Sequence, residues 1–300
     1  MKNALGLMIP GPCPVESDIL LEMASPMVAH YGPEWAGIFH ETRELMKQVV
    51  GTQQDLFITV GSGHLAVETM ISNALAPGET VLIVDNGHFA RRAADIARLY
   101  GIEAIDLTLP WGSAASPETV AEAMCKHRSR GIKAVLLVQN ESSTGVINPV
   151  ESIARVVQSH GALMLVDGVS SIGCMDFQMD RWQVDLCVTA SQKGLEAPPG
   201  LCMVAVSERA WEAIAGRRTP YAGWYMNLLL WRKFHQESYH FQPYGITMAV
   251  SNVLALRKSL QKIMQEGLQR RYLRHELVAR FFRSGLRRLG LEPGSKEEAC

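Results

Sequence analysis

The sequence predicts an α/β fold, a mostly parallel sheet flanked by helices, and three observations carry that prediction. Short apolar runs of strand length alternate with amphipathic helical stretches from residue 55 to residue 166. The runs are too apolar for a half-exposed sheet, so both faces should be covered. Glycine and proline punctuate the joins, as at Pro77-Gly78, Gly101 and Gly161.

Taken in order, Asp55–Val60 reads as a buried strand, residues 61–64 as a turn, and residues 65–75 as a helix ending before Pro77-Gly78. Residues 81–84 form the next strand and residues 91–100 a helix stopped by Gly101. A strand at 102–107 follows. Ser116-Pro117 then supplies an N-cap and a first-turn proline for a helix running to about residue 128. Residues 134–138 are a strand, 149–160 a helix closed by Gly161, and 162–166 a strand again. Two more apolar runs, 185–189 and 201–206, bracket a short polar turn. From 248 to 289 the periodicity is mostly helical and rich in arginine, with a domain change near Glu266.

Three hundred residues are enough for one large domain, or one and a part. The formal net charge of -1 implies no nucleic-acid or acidic-membrane partner. Met1-Lys2-Asn3-Ala4-Leu5 lacks the long apolar core and cleavage site of a secretory leader. No apolar run approaches the roughly 20 residues that cross a bilayer. Cys13, Cys125, Cys174, Cys187, Cys202 and Cys300 show no CxxC pair and no zinc-type spacing. They read as reduced thiols of a cytoplasmic protein, and no metal site is expected.

In such sheets a ligand lies beyond the carboxyl ends of the strands, and the chemistry-bearing residues fall there. Lys193, in Ser191-Gln192-Lys193-Gly194, sits in the turn between two apolar runs; Asp167 ends another. An amine and a carboxylate at one edge are the two anchors of pyridoxal phosphate, the amine as Schiff base and the carboxylate keeping the pyridine nitrogen protonated. Gly61-Ser62-Gly63-His64 follows a strand and opens a helix, so its N–H groups could hold a phosphate, or it is an ordinary tight turn. Glu141-Ser142-Ser143-Thr144-Gly145 offers hydroxyls, and Phe89 would lie over a flat ring if its turn closes on the site. His64 and His88 have acid–base capacity and equally good structural roles. A rival reading exists: Gly61-x-Gly63-x-x-Ala66 with Asp85 fits a dinucleotide fingerprint, hence an NAD-dependent dehydrogenase. It gives no task to Asp167 and Lys193 together.

Pro10-Gly11-Pro12, Gly61-Ser62-Gly63-His64, residues 141–145, residues 166–171, and Ser191-Gln192-Lys193 with Ala197-Pro198-Pro199-Gly200 occur in one order along the whole chain. In this the chain resembles the class V pyridoxal-phosphate aminotransferases of fold type I, in their alanine/serine–glyoxylate branch. The resemblance implies Lys193 as Schiff-base lysine and Asp167 as partner of the pyridine nitrogen. It implies Ser62, Gly63, His64 and Gln192 at the phosphate, Phe89 stacked on the ring and Ser142 beside it. Tyr244 and Thr247 match residues that reach the cofactor phosphate of a neighbouring subunit, which implies a homodimer with shared sites. Gly168 departs from the alanine, serine or threonine that relatives often carry there.

The resemblance divides the chain into an N-terminal arm (1–15), a cofactor-binding large domain (16–265) and the start of an α+β small domain (266–300). The chain stops at Glu297-Glu298-Ala299-Cys300, where relatives continue, and no arginine matches the family's substrate-carboxylate anchor. Arg270, Arg271 and Arg274 read as a solvated helix face. The expected activity is transfer of an amino group from a small amino acid to a 2-oxo acid such as glyoxylate or pyruvate. The alternatives are a lyase of the cysteine desulfurase type and a cofactor-binding remnant with little activity.

Overall fold

The computed structural model describes residues 6–295 apart from 218, 220 and 222. The opening pentapeptide and the closing Glu297-Glu298-Ala299-Cys300, on which the leader and chain-end readings rest, lie outside the described residues.

In chain order the strands are β1 (Asp55–Val60), β2 (Thr80–Asp85), β3 (Glu103–Thr108), β4 (Ile132–Val138), the two-residue β5 (Asn140–Glu141) and β6 (Val146–Ile147), then β7 (Leu163–Asp167), β8 (Leu186–Ala190) and β9 (Leu201–Val206). All but β5 and β6 join one sheet in the order β1-β9-β8-β7-β4-β2-β3. Only β9 opposes the rest: it pairs antiparallel with β1 and β8, whereas every other adjacent pair is parallel. Strands β2, β7, β8 and β9 are buried at every residue, which requires cover on both faces. The mostly parallel α/β sheet expected from the apolar runs is what the chain forms.

The helices are α1 (Ser17–Met23), α2 (Pro33–Val50), α3 (Gly63–Ala74), α4 (His88–Leu99), α5 (Pro117–Lys126), α6 (Val150–Ser159), α7 (Glu208–Ala215), α8 (Leu228–Glu237), α9 (Val250–Glu266) and α10 (Leu268–Arg288). Ser116 caps α5 as the sequence predicts, its hydroxyl accepting from the Thr119 N–H at 3.1 Å. That helix ends at Lys126, and a 3-10 turn over Arg128–Arg130 finishes the segment. Helix α4 starts three residues before its local signal. Its first N–H groups are satisfied from a distance: one Glu141 carboxylate oxygen accepts from Phe89 at 3.0 Å and Ala90 at 3.1 Å. No reading of nearby residues reveals such a cap. The sequence reading assigns nothing to α2, although Pro33 at its start and buried Trp35, Phe39, Met46 and Val50 mark it.

Helix α9 ends at Glu266 and α10 begins at Leu268. Along α10, Leu277, Val278, Phe281 and Phe282 are exposed. The expectation of a solvated arginine face there holds for Arg274 and fails for Arg271, which is 2% exposed. Arg271 donates to the carbonyls of Gly173 (2.7 Å) and Gly194 (2.8 Å) and pairs with Glu196 (2.9 Å) and Glu266 (3.1 Å). Its carbonyl partners and Glu196 come from two distant segments, which is why helical periodicity misreads it. No helix among the described residues is long and apolar enough to cross a membrane.

Candidate active site

One cleft of about 600 Å³, its open mouth included, lies beyond the carboxyl ends of β1, β4, β7 and β8. Its wall includes Ser62, Gly63, His64, Phe89, Ser142, Asp167, Gln192 and Lys193, which the sequence reading scatters over 130 positions and the sheet brings together.

Lys193 rides on the β8–β9 hairpin, a rigid mount. Ser191 locks the turn: its N–H donates to the Leu201 carbonyl (3.0 Å) and its hydroxyl to the Pro198 carbonyl (2.6 Å). The half-buried Lys193 ammonium donates to the Pro10 carbonyl at 2.7 Å. Gly11, at φ +132°, presses on that side chain so closely that a Cβ there would stand 2.5 Å from Lys193 Cδ. Burial holds the Lys193 pKa below the ordinary lysine value, with the Asp167 and Cys13 charges working against it.

Asp167, the last residue of β7, is 6% exposed. One of its carboxylate oxygens accepts from the Val169 N–H at 2.9 Å. Burial pushes its pKa up to about 6; the Val169 bond opposes, the Glu141 charge adds, and Lys193 opposes. A buried carboxylate in that condition lacks a cation.

Ser62 stands at the N-cap of α3, yet its side chain makes no capping bond. Gly63 opens the helix so close to β7's exit that a Cβ would meet Val169 Cγ2 at 2.9 Å. Gln192 also lines the cleft; its side-chain Oε1 is buried with no hydrogen-bond partner, while its backbone carbonyl accepts from the Cys13 N–H at 3.0 Å. His64 lines the cleft as well, its pKa held below the ordinary histidine value by burial first, then by the Arg92 and His88 charges. Phe89 is half-buried in the first turn of α4. Glu141 fixes that turn: its second oxygen accepts from the Ser143 N–H (3.0 Å) and hydroxyl (2.7 Å), leaving the carboxylate wholly buried. Glu141 and Arg92 are the site residues to which sequence reading gives no role. The cleft wall excludes His88.

Tyr244 and Thr247 are placed elsewhere. Tyr244 is 1% exposed inside its own chain, where its hydroxyl accepts from the Trp35 indole N–H and donates to the His30 carbonyl at 2.5 Å. That phenol is engaged on both sides within its own chain. Thr247 is exposed, just before α9.

The dinucleotide reading is overturned by topology. The strand that precedes Gly61 is β1, at the sheet edge and antiparallel to β9, not a central parallel strand at a switch point. Asp85 is engaged by Arg91 at 3.1 Å. Nor does the lyase reading find its nucleophile beside the lysine. Cys13 Sγ donates to the Lys193 carbonyl at 3.2 Å, and burial raises its pKa, the reverse of thiolate activation.

A strand-end lysine facing a buried carboxylate, with a helix start and an unpartnered amide at one end of the cleft, defines an enzyme that works through pyridoxal phosphate. The chain belongs to the class V aminotransferase family, whose model matches residues 21–290. It is 41% identical over 98% of its length to an uncharacterised aminotransferase of Methanocaldococcus jannaschii, covering 74% of that protein. It is 33% identical over 97% of its length to the L-aspartate–glyoxylate aminotransferase of Paracoccus denitrificans, covering 73%. The crystal structure of an alanine–glyoxylate aminotransferase from Nostoc sp. superposes with a TM-score of 0.92 at 31% identity, over 99% of this chain and 79% of that one.

The residues present fit the cofactor that the family implies. The buried Asp167 carboxylate suits the cation that a protonated pyridine would bring, and the N–H groups that open α3 after Ser62 offer a phosphate ester the donors it needs.

Proposed function

We propose that this aminotransferase carries pyridoxal phosphate on Lys193 and moves the amino group of a small amino acid, of the alanine or serine type, to glyoxylate or a similar 2-oxo acid. The observation that carries the reading is the pairing of a half-buried Lys193 amine with a buried Asp167 in one cleft. Glyoxylate as acceptor is supported by what the Paracoccus and Nostoc relatives share in their names.

When bound, the cofactor supplies an aldehyde that takes up an amine and a ring that holds an electron pair. The chain's residues do the rest. The N–H groups at the start of α3, with Ser62, His64 and Gln192, hold the phosphate. Phe89 covers the ring and excludes water from one face. Asp167 keeps a proton on the ring nitrogen, and in doing so gains the cation it lacks. Lys193 Nζ, in the same cleft, would be the base that takes the substrate's α-proton and hands it on as an acid. Its lowered pKa keeps a larger fraction of the amine neutral for that task.

The two chain-level readings complete the proposal. The N-terminal arm and the segments beside it expose Met8, Ile9, Met27, Trp224 and Phe241, apolar surface that a second copy of the chain would cover. The corner between α9 and α10 is the boundary at which a second domain starts.

The test is intact mass before and after borohydride reduction of the chain incubated with pyridoxal phosphate. A reduced pyridoxyl phosphate adduct on the Lys193 peptide, absent from Lys193→Ala, is the expected result, with amino transfer to glyoxylate lost in that variant. Undiminished turnover in Lys193→Ala would sink the assignment.

A further inference from the structure

Arg92 lies in the second turn of α4, off the strand ends that carry the rest of the site. Its guanidinium sits between two imidazoles: Nη1 is 2.6 Å from His64 Nε2, and Nη2 is 2.7 Å from His88 Nε2. The same group lies 5.7 Å from the centre of the Phe89 ring. A guanidinium has donors only and keeps its proton throughout the working pH range. Each Nε2 must therefore accept, so neither carries hydrogen, and each ring's remaining proton is on Nδ1.

We propose that Arg92 is a positioning residue that fixes His64 and His88 as uncharged Nδ1–H tautomers. His64 then offers the anion end of the cleft a neutral N–H donor, never a lone pair and never a titrating cation. The proposal rests on the phosphate reading of that end of the cleft. An Nε2–H ring at His64 would turn an Nδ1 lone pair on the cleft and oppose an anion. Arg92 removes that option by occupying Nε2.

The charged groups around the pair leave Arg92 in control. Glu68 of α3 takes the Tyr100 hydroxyl at 2.7 Å. Arg91 of α4 pairs with Asp85 at 3.1 Å. Glu141 is held by the Phe89 and Ala90 N–H groups. Asp167 and Lys193 form other parts of the cleft wall. Burial, Arg92 and His88 all act on His64 in the same direction, against its protonation.

Long-range proton–nitrogen correlation spectra of the full chain, labelled with ¹⁵N-histidine, read the tautomer of each ring. They are recorded with and without pyridoxal phosphate at about pH 7.5, a unit above the ordinary histidine pKa. His64→Asn and His88→Asn assign the signals. Both rings are expected to show the Nδ1–H pattern in the unsubstituted chain. In Arg92→Leu both should lose it for the Nε2–H-dominated pattern of a free histidine side chain, and the His64 pKa should move up. An Nε2–H or protonated His64 in the unsubstituted chain overturns the proposal, and so does an Nδ1–H pattern retained in Arg92→Leu. The first of these outcomes is read in the chain with Arg92 intact, where His64→Asn and His88→Asn serve only to assign the signals. Neither depends on transamination: a missing adduct on Lys193 sinks the cofactor reading and leaves the tautomer result standing.

Discussion

Asp167 shows what burial does to a single carboxylate. With its pKa raised from 3.8 to about 6, the folded chain binds a proton there more tightly than the unfolded chain does. Stability from this group is therefore greatest below pH 4 and falls as pH rises through about 6, by roughly 3 kcal/mol in total. Asp167→Asn should make the cofactor-free chain more stable at pH 7 by an amount of that order. The gain should vanish at pH 4, as denaturant midpoints at the two pH values would reveal. A gain equal at both would show that repacking, not charge, is responsible. At this scale the sequence was informative wherever a residue ends a strand. Lys193, Asp167, Ser62, Gly63, Gln192 and Ser142 all follow apolar runs and all reach the cleft. It was uninformative for Arg92 and Glu141, whose bonds to His64 and Phe89 span 28 and 52 residues.

Between elements, the most consequential contact is the one that fastens α10 to the lysine-bearing hairpin. Arg271 satisfies the buried carbonyls of Gly173 and Gly194, the latter next to Lys193, and pairs with Glu196 and Glu266, whose side chains are 30% and 27% exposed. Arg271→Met keeps the bulk and removes every one of those bonds. A loss of about 1–3 kcal/mol is expected, since removing the guanidinium leaves two buried carbonyls without a donor. The midpoint of urea unfolding measures it; a change under about 0.5 kcal/mol, of the order of an ordinary surface substitution, would mean that solvent reaches the two carbonyls readily. Periodicity alone placed this arginine on a wet face because charge, in a single sequence, looks the same whether its partners are water or protein. Helix α5 behaved oppositely: Ser116 and Pro117 are its own neighbours, and the predicted start was right.

For the whole molecule, the sheet order decided what local motifs could not. Gly61-x-Gly63 reads equally as a nucleotide turn or a phosphate turn until β1 is seen at the edge beside an antiparallel β9. The exposed apolar side chains of the N-terminal arm predict a particle of twice 33.1 kDa by light scattering at micromolar concentration. A monomer mass there would remove the shared-site reading.

The same edge strand fixes when the chain can first bind its cofactor. Val60, which leads into the phosphate turn, pairs with Leu201, which leads out of the lysine turn. The two halves of the cleft are thus joined by a closure spanning nearly half the chain, the kind of long-range contact that folding completes late. During synthesis, no binding site exists until β9 has left the ribosome, whatever has folded before it. Ribosome-held chains of increasing length should acquire the reducible cofactor only once Val206 has cleared the exit tunnel. Maturation of this enzyme is then timed by its own topology, and the cell has no early intermediate to supply with cofactor.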